Sequence, residues 1–422
     1  MDWPGSAASR MPCLLKEPTP GSPGIITFTH NEVLRGVAAK SLRVKKFLEV
    51  STENRTWLFG VHIQGYISSS DAWPLEPWQS FIMWPDETAS FLAGVPRDRI
   101  LNCNCIQFMP TVSPRPIGME RNVDVCVISR ASPIKRIFET LCILHGLMEA
   151  IPEFTATVVV ADARRIEYGL ECYEKQDVDR RYFELPMRIF SSAQLKRISF
   201  ISSSDQAFGR FPLSNELMAD LLHRSRFLLL TSHNEGTPRV IAEALMAEVP
   251  CIVSRHLESG IRIPLFSENT LLIDDDIPKA VAQIREGLAN YHRFSVDGKK
   301  ACEAFAADHH RGMLQASLSD RILSMGCEVQ GRWFLDDLHL RLACHGQKRN
   351  YQYMDDDEQF FNWIEKVSGH RDSEGQLFDP YDEDAMFGDD EVFGQAETKI
   401  RPVGRIRGLL YDLRRQLAGG AI

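Results

Sequence analysis

Two carboxylates and two cations stand at spacings that could handle a phosphate-bearing ligand. Glu235 and Glu243 lie in the run LLLTSHNEGTPRVIAEALMAEVPCIVS, Leu228 to Ser254, as an E-x7-E pair. This run breaks an apolar strand at a polar turn, starts a helix, and ends in a second apolar strand. Thr237 is of a type favoured at helix N-caps, and Pro238 suits a first helical position, where its missing N–H would have had no partner. A helix beginning at Thr237 or Pro238 turns its free N–H groups and the positive end of its dipole toward the mouth of the sheet, where a phosphate is stabilised. Arg130 and Lys135 follow another apolar strand, VDVCVIS, at R-x4-K spacing. With both strands in one parallel sheet, the cations and the helix start meet at its carboxyl edge, where open α/β sheets hold ligands.

The elements that must position these groups alternate between strand and helix. From Val123 onward, VDVCVIS, a helix to Ala150, ATVVVADA, ISFIS, NELMADLLHRS, FLLLTS, the helix near Pro238, PCIVS and NTLLI read as a doubly wound parallel sheet. Asp274, Asp275 and Asp276 precede IPKAVAQIREGL and read as helix-capping residues rather than a metal cluster. Before the linker, GIITFTH, NRTWLFGVHI, SFIMW and DRILNCNCIQF read as strands. VLRGVAAKSLRVKKFLEV and DETASFLAGV read as helices.

These residues resemble the group 1 glycosyltransferases, retaining enzymes of the GT-B fold. The family signature S-x-x-E-G-x-P-x-V-x-x-E-A stands here as Ser232, Glu235, Gly236, Pro238, Val240, Glu243 and Ala244. Its G-R-x4-K-G element is matched at Arg130 and Lys135. Upstream, Gly94, Val95, Pro96, Asn104, Phe108 and Pro110 occupy the family's G-V-P and Asn-turn positions, and TFTHNE resembles its T-x-H, at His30. The resemblance implies two Rossmann-like α/β domains facing a cleft, and a nucleotide-diphosphate sugar as donor substrate with no cofactor and no metal. It also implies roles: Arg130, Lys135, Gly236, Thr237 and Pro238 on the diphosphate, Glu243 on the ribose, Glu235 and His30 beside the donor sugar. His62 is a rival to His30. Three family glycines are replaced, by Ser129, Arg136 and Glu248.

The same alignment makes the first domain appear truncated, lacking its opening strands. The expected layout is a disordered leader over residues 1–23, a shortened acceptor-side domain over 24–110, a linker over 111–122 and a donor-binding domain over 123–346. An acidic flexible tail over 347–395 and a basic amphipathic helix over 396–422 follow. From Asp355 to Glu391 the tail carries fourteen acidic residues against Lys366 and Arg371, a composition typical of solvated segments. A truncated sheet exposes an edge that the leader, the tail or a second subunit must cover. The alternative to an active transferase is therefore a donor-binding scaffold completed by a partner chain.

Composition narrows the classes further. A chain of 422 residues suits two domains. A net charge of −9 argues against nonspecific nucleic-acid binding, which depends on clustered cations. No apolar run approaches the roughly 20 residues of a membrane span, and no signal-peptide core is evident. The ten cysteines contain no C-x-x-C pair, so reduced thiols and a cytoplasmic location are expected. Nucleotide sugar and a glycan or other hydroxyl acceptor are the expected partners, with homo-oligomerisation or a partner chain at the first domain, and membrane contact not favoured.

Overall fold

The computed structural model describes residues 9–10, 12–34, 36–63, 72–130, 135–161, 189–202, 213–259, 268–342, 353–354 and 356–368. The expected α/β architecture is present as two largely parallel sheets. The first carries β2 (Cys13–Lys16), β3 (Gly24–Thr29), β4 (Trp57–His62), β5 (Gln79–Met83) and β6 (Ile100–Leu101) in that order, with β2 antiparallel and the others parallel. Both faces of β3 and β4 are buried along their whole length, Thr27, Thr29 and His62 included, so neither strand alternates apolar with solvated residues.

The leader is not disordered where it is described. CLLK of β2 is buried throughout and pairs with β3, so the leader itself covers that sheet edge. Pro20, Gly21 and Ser22, part of that disordered composition, build a turn instead. Thr19 and Ser22 exchange backbone hydrogen bonds of 2.9 and 3.0 Å across Pro20 and Gly21, and Gly21 has φ +85°. Proline before a glycine of positive φ is the type II turn pattern. Lys16, fully buried, donates to the carbonyls of Glu17 (2.9 Å) and Pro23 (3.0 Å), and desolvation lowers its pKa to about 8.

The tail is likewise structured over part of its length. β1 (Ser9–Arg10) pairs antiparallel with β15 (Tyr353–Met354), tying leader to tail. The helix Asp357–Val367, capped by Asp356, follows. Its Phe360, Trp363, Ile364 and Val367 are buried, and Phe360 lies 6.3 Å from Phe28 and 5.9 Å from Phe47, ring centre to ring centre. The i, i+3, i+4, i+7 spacing of these four makes one apolar stripe among the acids. The basic amphipathic helix expected over 396–422 lies outside the described residues.

Two further expectations change. DETASFLAGV forms only a 3₁₀ turn at Ser90–Leu92, and DRILNCNCIQF yields the two-residue β6 and then a 3₁₀ turn at Cys105–Phe108. Asn104 caps that turn: its side chain accepts from Ile106 N–H at 3.0 Å while the Gln107 side chain accepts from Asn104 N–H at 2.8 Å. The long helix expected over 33–50 is broken at Ser41, which caps Leu42–Glu53 by accepting from Val44 N–H.

The second sheet is wholly parallel. It comprises β7 (Val123–Arg130), β8 (Ala156–Ala161), β9 (Ile198–Ser202), β10 (Ser225–Leu230), β12 (Cys251–Ser254) and β14 (Thr270–Ile273), ordered β14-β12-β10-β7-β8-β9. Residues expected to end with this domain return to the first one. The helix Ala307–Ser324 sends Leu314, Leu318 and Ile322 into the cluster formed by Leu15, Ile25, Leu58 and Phe81 of the first sheet. By packing, then, the stretch 307–324 belongs to the first domain although it follows the second.

Because Phe360 is fully buried, Phe360→Ala should cost about 3–5 kcal/mol of stability, measured by urea unfolding of the full chain. A loss under about 1 kcal/mol would be the response of an unpacked tail.

Candidate functional site

Counting strands from β7, the second sheet runs 6-5-4-1-2-3, so the order reverses between β7 and β10. Chains leaving the carboxyl ends of these neighbours go to opposite faces and open a crevice between them. β7 and β10 are held in register by Phe227 beside Val125 and Leu228 beside Cys126. Lys135 follows β7 and Glu235 follows β10. In the crevice Lys135 Nζ donates to both oxygens of Glu235, at 2.6 Å to Oε1 and 2.5 Å to Oε2. The Glu235 side chain is 6% exposed and that of Lys135 19%. Two groups one hundred residues apart in sequence thus neutralise each other at the carboxyl edge where the strand order reverses. Arg130 ends β7, beside Ala161. The side chain of Arg130 and residues 131–134 lie outside the described structure.

Threonine hydroxyls tie the two loops together. Thr231, just past β10, lies 2.7 Å from the Thr140 hydroxyl and 3.3 Å from the carbonyl oxygens of Lys135 and Arg136. Thr140 also donates to the Arg136 carbonyl at 3.0 Å. Glu235 is fixed by a short strand: β11 (Asn234–Glu235) pairs in parallel with β13 (Glu258–Ser259).

The helix begins one residue later than expected, at Arg239, and Thr237 is not its cap. Pro238 holds the N-cap position without a side-chain bond, and the Thr237 hydroxyl accepts from Cys105 Sγ at 3.4 Å. The hydroxyl meant for the helix is taken by the first domain. Cys105 follows Asn104, whose amide donates to Ile63 O at 3.3 Å just beyond β4. The carboxyl end of β4 is thereby linked, through Asn104 and Cys105, to the Thr237 turn. Gly236 lies between β11 and this turn. Glu243 sits one helical turn after Arg239; desolvation raises its pKa, partly countered by the Arg239 charge.

His30 opens the helix His30–Leu34 at the carboxyl end of β3 and is 8% exposed, not in a solvated turn. Thr29 and Glu32 close a capping box around it, with Thr29 N–H to Glu32 Oε2 at 2.7 Å and Glu32 N–H to Thr29 Oγ1 at 3.3 Å. His62 ends β4, 1% exposed, with Nδ1 3.1 Å from Thr27 Oγ1.

A second cluster lies beyond what the spacing indicates. Arg136 donates to Asp275 Oδ1 at 2.7 Å and to Glu139 Oε1 at 3.3 Å, and it contacts His233 Nε2. His233 Nε2 is 2.8 Å from the same Asp275 oxygen, Ser254 Oγ donates to it at 3.3 Å, and His256 stands 3.8 Å from Oδ2. Four strand ends converge on one carboxylate. Asp276 is the helix cap, accepting from Lys279 N–H at 3.0 Å, and Asp274 accepts from Asp276 N–H at 3.2 Å. The capping reading therefore holds for Asp276 and misses Asp275. Only the strand order, which brings β14 to the same edge, identifies it.

The glycine replacements keep glycine's backbone at two of three positions. Arg136 has φ 50° and Glu248 φ 59°, both left-handed, a conformation that costs a non-glycine residue about 1 kcal/mol. At Glu248 it forms a helix C-terminal motif: Val249 N–H reaches Ala244 O at 2.8 Å and Glu248 N–H reaches Leu245 O at 3.1 Å. At Arg136 the strain is offset by the guanidinium's bonds to Asp275 and Glu139. Its charge is thus committed to the β14 side.

Desolvation alone would raise the pKa of Asp275, but hydrogen bonds and charge from Arg136 and His233 outweigh it and hold it at about 2. A carboxylate depressed in the folded state adds stability above its unfolded pKa, about 3.9, and loses it as pH falls through the folded value. Asp275→Asn should therefore be less stable than the parent above about pH 4, with the gap closing toward pH 2. Unfolding midpoints across that range check this; a gap unchanged by pH would assign Asp275 a purely packing role.

No protein-family model matches the chain, and no curated protein matches its sequence. Among solved structures it is similar to TarM, with 13% identity and a TM-score of 0.45 over 69% of this chain and 54% of that one. It is similar also to the pneumococcal O-GlcNAc transferase GtfA, solved with UDP and GlcNAc, at 12% identity and 0.44 over 66% and 55%. A trehalose 6-phosphate synthase from Burkholderia multivorans gives 12% identity and 0.44 over 68% and 71%. The chain spans about half the length of the first two.

Proposed function

We propose that this protein binds a nucleotide-diphosphate sugar at the β7/β10 crevice and transfers its sugar, with retention of configuration, to a glycan or other hydroxyl acceptor. The observation that carries the reading is the meeting of Lys135 and Glu235 at the point where the strand order reverses. Lys135 belongs to one separately read motif and Glu235 to the other, and each follows a central strand.

Cleaving the bond between an anomeric carbon and a diphosphate builds negative charge on the leaving oxygen and oxocarbenium character on the sugar. Arg130 and Lys135 would meet the leaving charge, with Gly236, Thr237 and Pro238 bringing backbone at the helix start up to the phosphates. Such preorganised electrostatics often contributes more to catalysis than any other single effect. Glu235 would accept from the donor sugar's hydroxyls, and His30 would approach that sugar from the first sheet's carboxyl edge. Same-face attack, in which the departing phosphate takes the acceptor's proton, needs no protein base. The two glutamates are then donor-binding groups, not the acid and nucleophile of a glycosidase. Protein cations meet the diphosphate in this scheme, so binding should persist in EDTA.

Glu243 would accept the vicinal ribose hydroxyls. Glu243→Gln should weaken a ribonucleotide donor by roughly 1–3 kcal/mol and erase the preference over its 2′-deoxy analogue. Calorimetry with UDP-, GDP-, ADP- and dTDP-sugars checks this. Absence of binding by every nucleotide sugar would remove the proposed function; binding with an unchanged ribose preference in the variant would remove only the role of Glu243.

A further inference from the structure

The contact between Lys135 and Glu235 has a consequence for which ligands the crevice accepts, and the inference rests on the nucleotide-sugar reading above. Lys135 donates twice to Glu235, and among the described residues it is the one cation within ion-pair distance of that carboxylate. Glu235 is nearly inaccessible to water, and its backbone is pinned by pairing with β13. The carboxylate therefore has no easy retreat into solvent. Removing one member of a buried pair leaves the other charge uncompensated, at large cost. A diphosphate that draws Lys135 away does this, and it also brings its own negative charge toward Glu235.

We propose that Glu235 makes the site discriminate between a sugar-bearing and a bare nucleoside diphosphate. When a sugar is attached, its hydroxyls donate to the carboxylate and replace the bonds that Lys135 gave up. When the sugar is gone, nothing donates to Glu235, and Lys135 is drawn back to it. The same pair that admits the donor thus works against the product, so transfer of the sugar itself weakens the hold on what remains. Glu235 is in this scheme a specificity-determining residue as well as a sugar contact. The two roles predict different outcomes for its removal: loss of a residue that only contacts sugar leaves binding of the bare diphosphate unchanged.

The experiment is calorimetry on the full chain and on Glu235→Gln, with UDP, GDP and ADP and their glucose, mannose and N-acetylglucosamine derivatives. In the parent, the accepted nucleotide sugar should bind at least tenfold more tightly than the matching bare diphosphate. In Glu235→Gln, where no charge is stranded, the bare diphosphate should gain at least tenfold while the nucleotide sugar does not gain. Equal affinities in the parent overturn the proposal even if the variant fails to fold, which its thermal melt reports. A bare diphosphate that binds both proteins alike overturns the discrimination and leaves the nucleotide-sugar reading standing. No binding of any of these compounds to either protein ends both.

Discussion

The parallel pairing of β7 with β10 is the constraint on which the rest depends. These two strands are neighbours in space but are separated in sequence by β8, β9 and the segments that join them. Because the order reverses between them, the chain leaving each strand goes to a different face of the sheet, and the crevice is a product of topology rather than of any one loop. The chemical groups are attached to that edge: Lys135 on one rim, Glu235 and the helix start on the other, and Asp275 beyond them at the end of β14.

The described part of this edge is tied together by small groups. Thr231 and Thr140 share a hydrogen bond and together hold the carbonyls behind Lys135 and Arg136. Arg136 is held in a left-handed backbone by its own side chain, which reaches Asp275 and Glu139. The first domain grips the same edge through Cys105 on Thr237. Its sheet is in turn closed by strand β2 of the leader on one edge and packed beneath by the returning helix Ala307–Ser324.

Much of this is legible in the sequence, and the misses have physical causes. Apolar runs bounded by turn residues mark β3, β4, β5 and the central strands β7, β10 and β12 of the second sheet, because strands covered on both faces are mostly apolar. The pairs Arg130/Lys135 and Glu235/Glu243 are readable because each lies within one strand–turn–helix unit. Asp275 is not, since its place beside Arg136 and His233 is set by sheet order, which spacing does not encode. The leader and tail mislead because composition averages over a segment: CLLK and the stripe Phe360, Trp363, Ile364 and Val367 are short apolar signals inside polar surroundings. Local propensity assigns Thr237 to the helix cap, and a tertiary partner takes its hydroxyl instead.

The central claim is that the donor enters between β7 and β10 and takes Lys135 from Glu235. A crystal structure of the full chain with its tightest-binding nucleotide sugar tests this most directly. The expected result is a phosphate oxygen within about 2.7–2.9 Å of Lys135 Nζ, that nitrogen withdrawn from Glu235, and sugar hydroxyls in its place on the carboxylate. A nucleotide sugar bound elsewhere, or bound here with Lys135 still on both oxygens of Glu235, would contradict it.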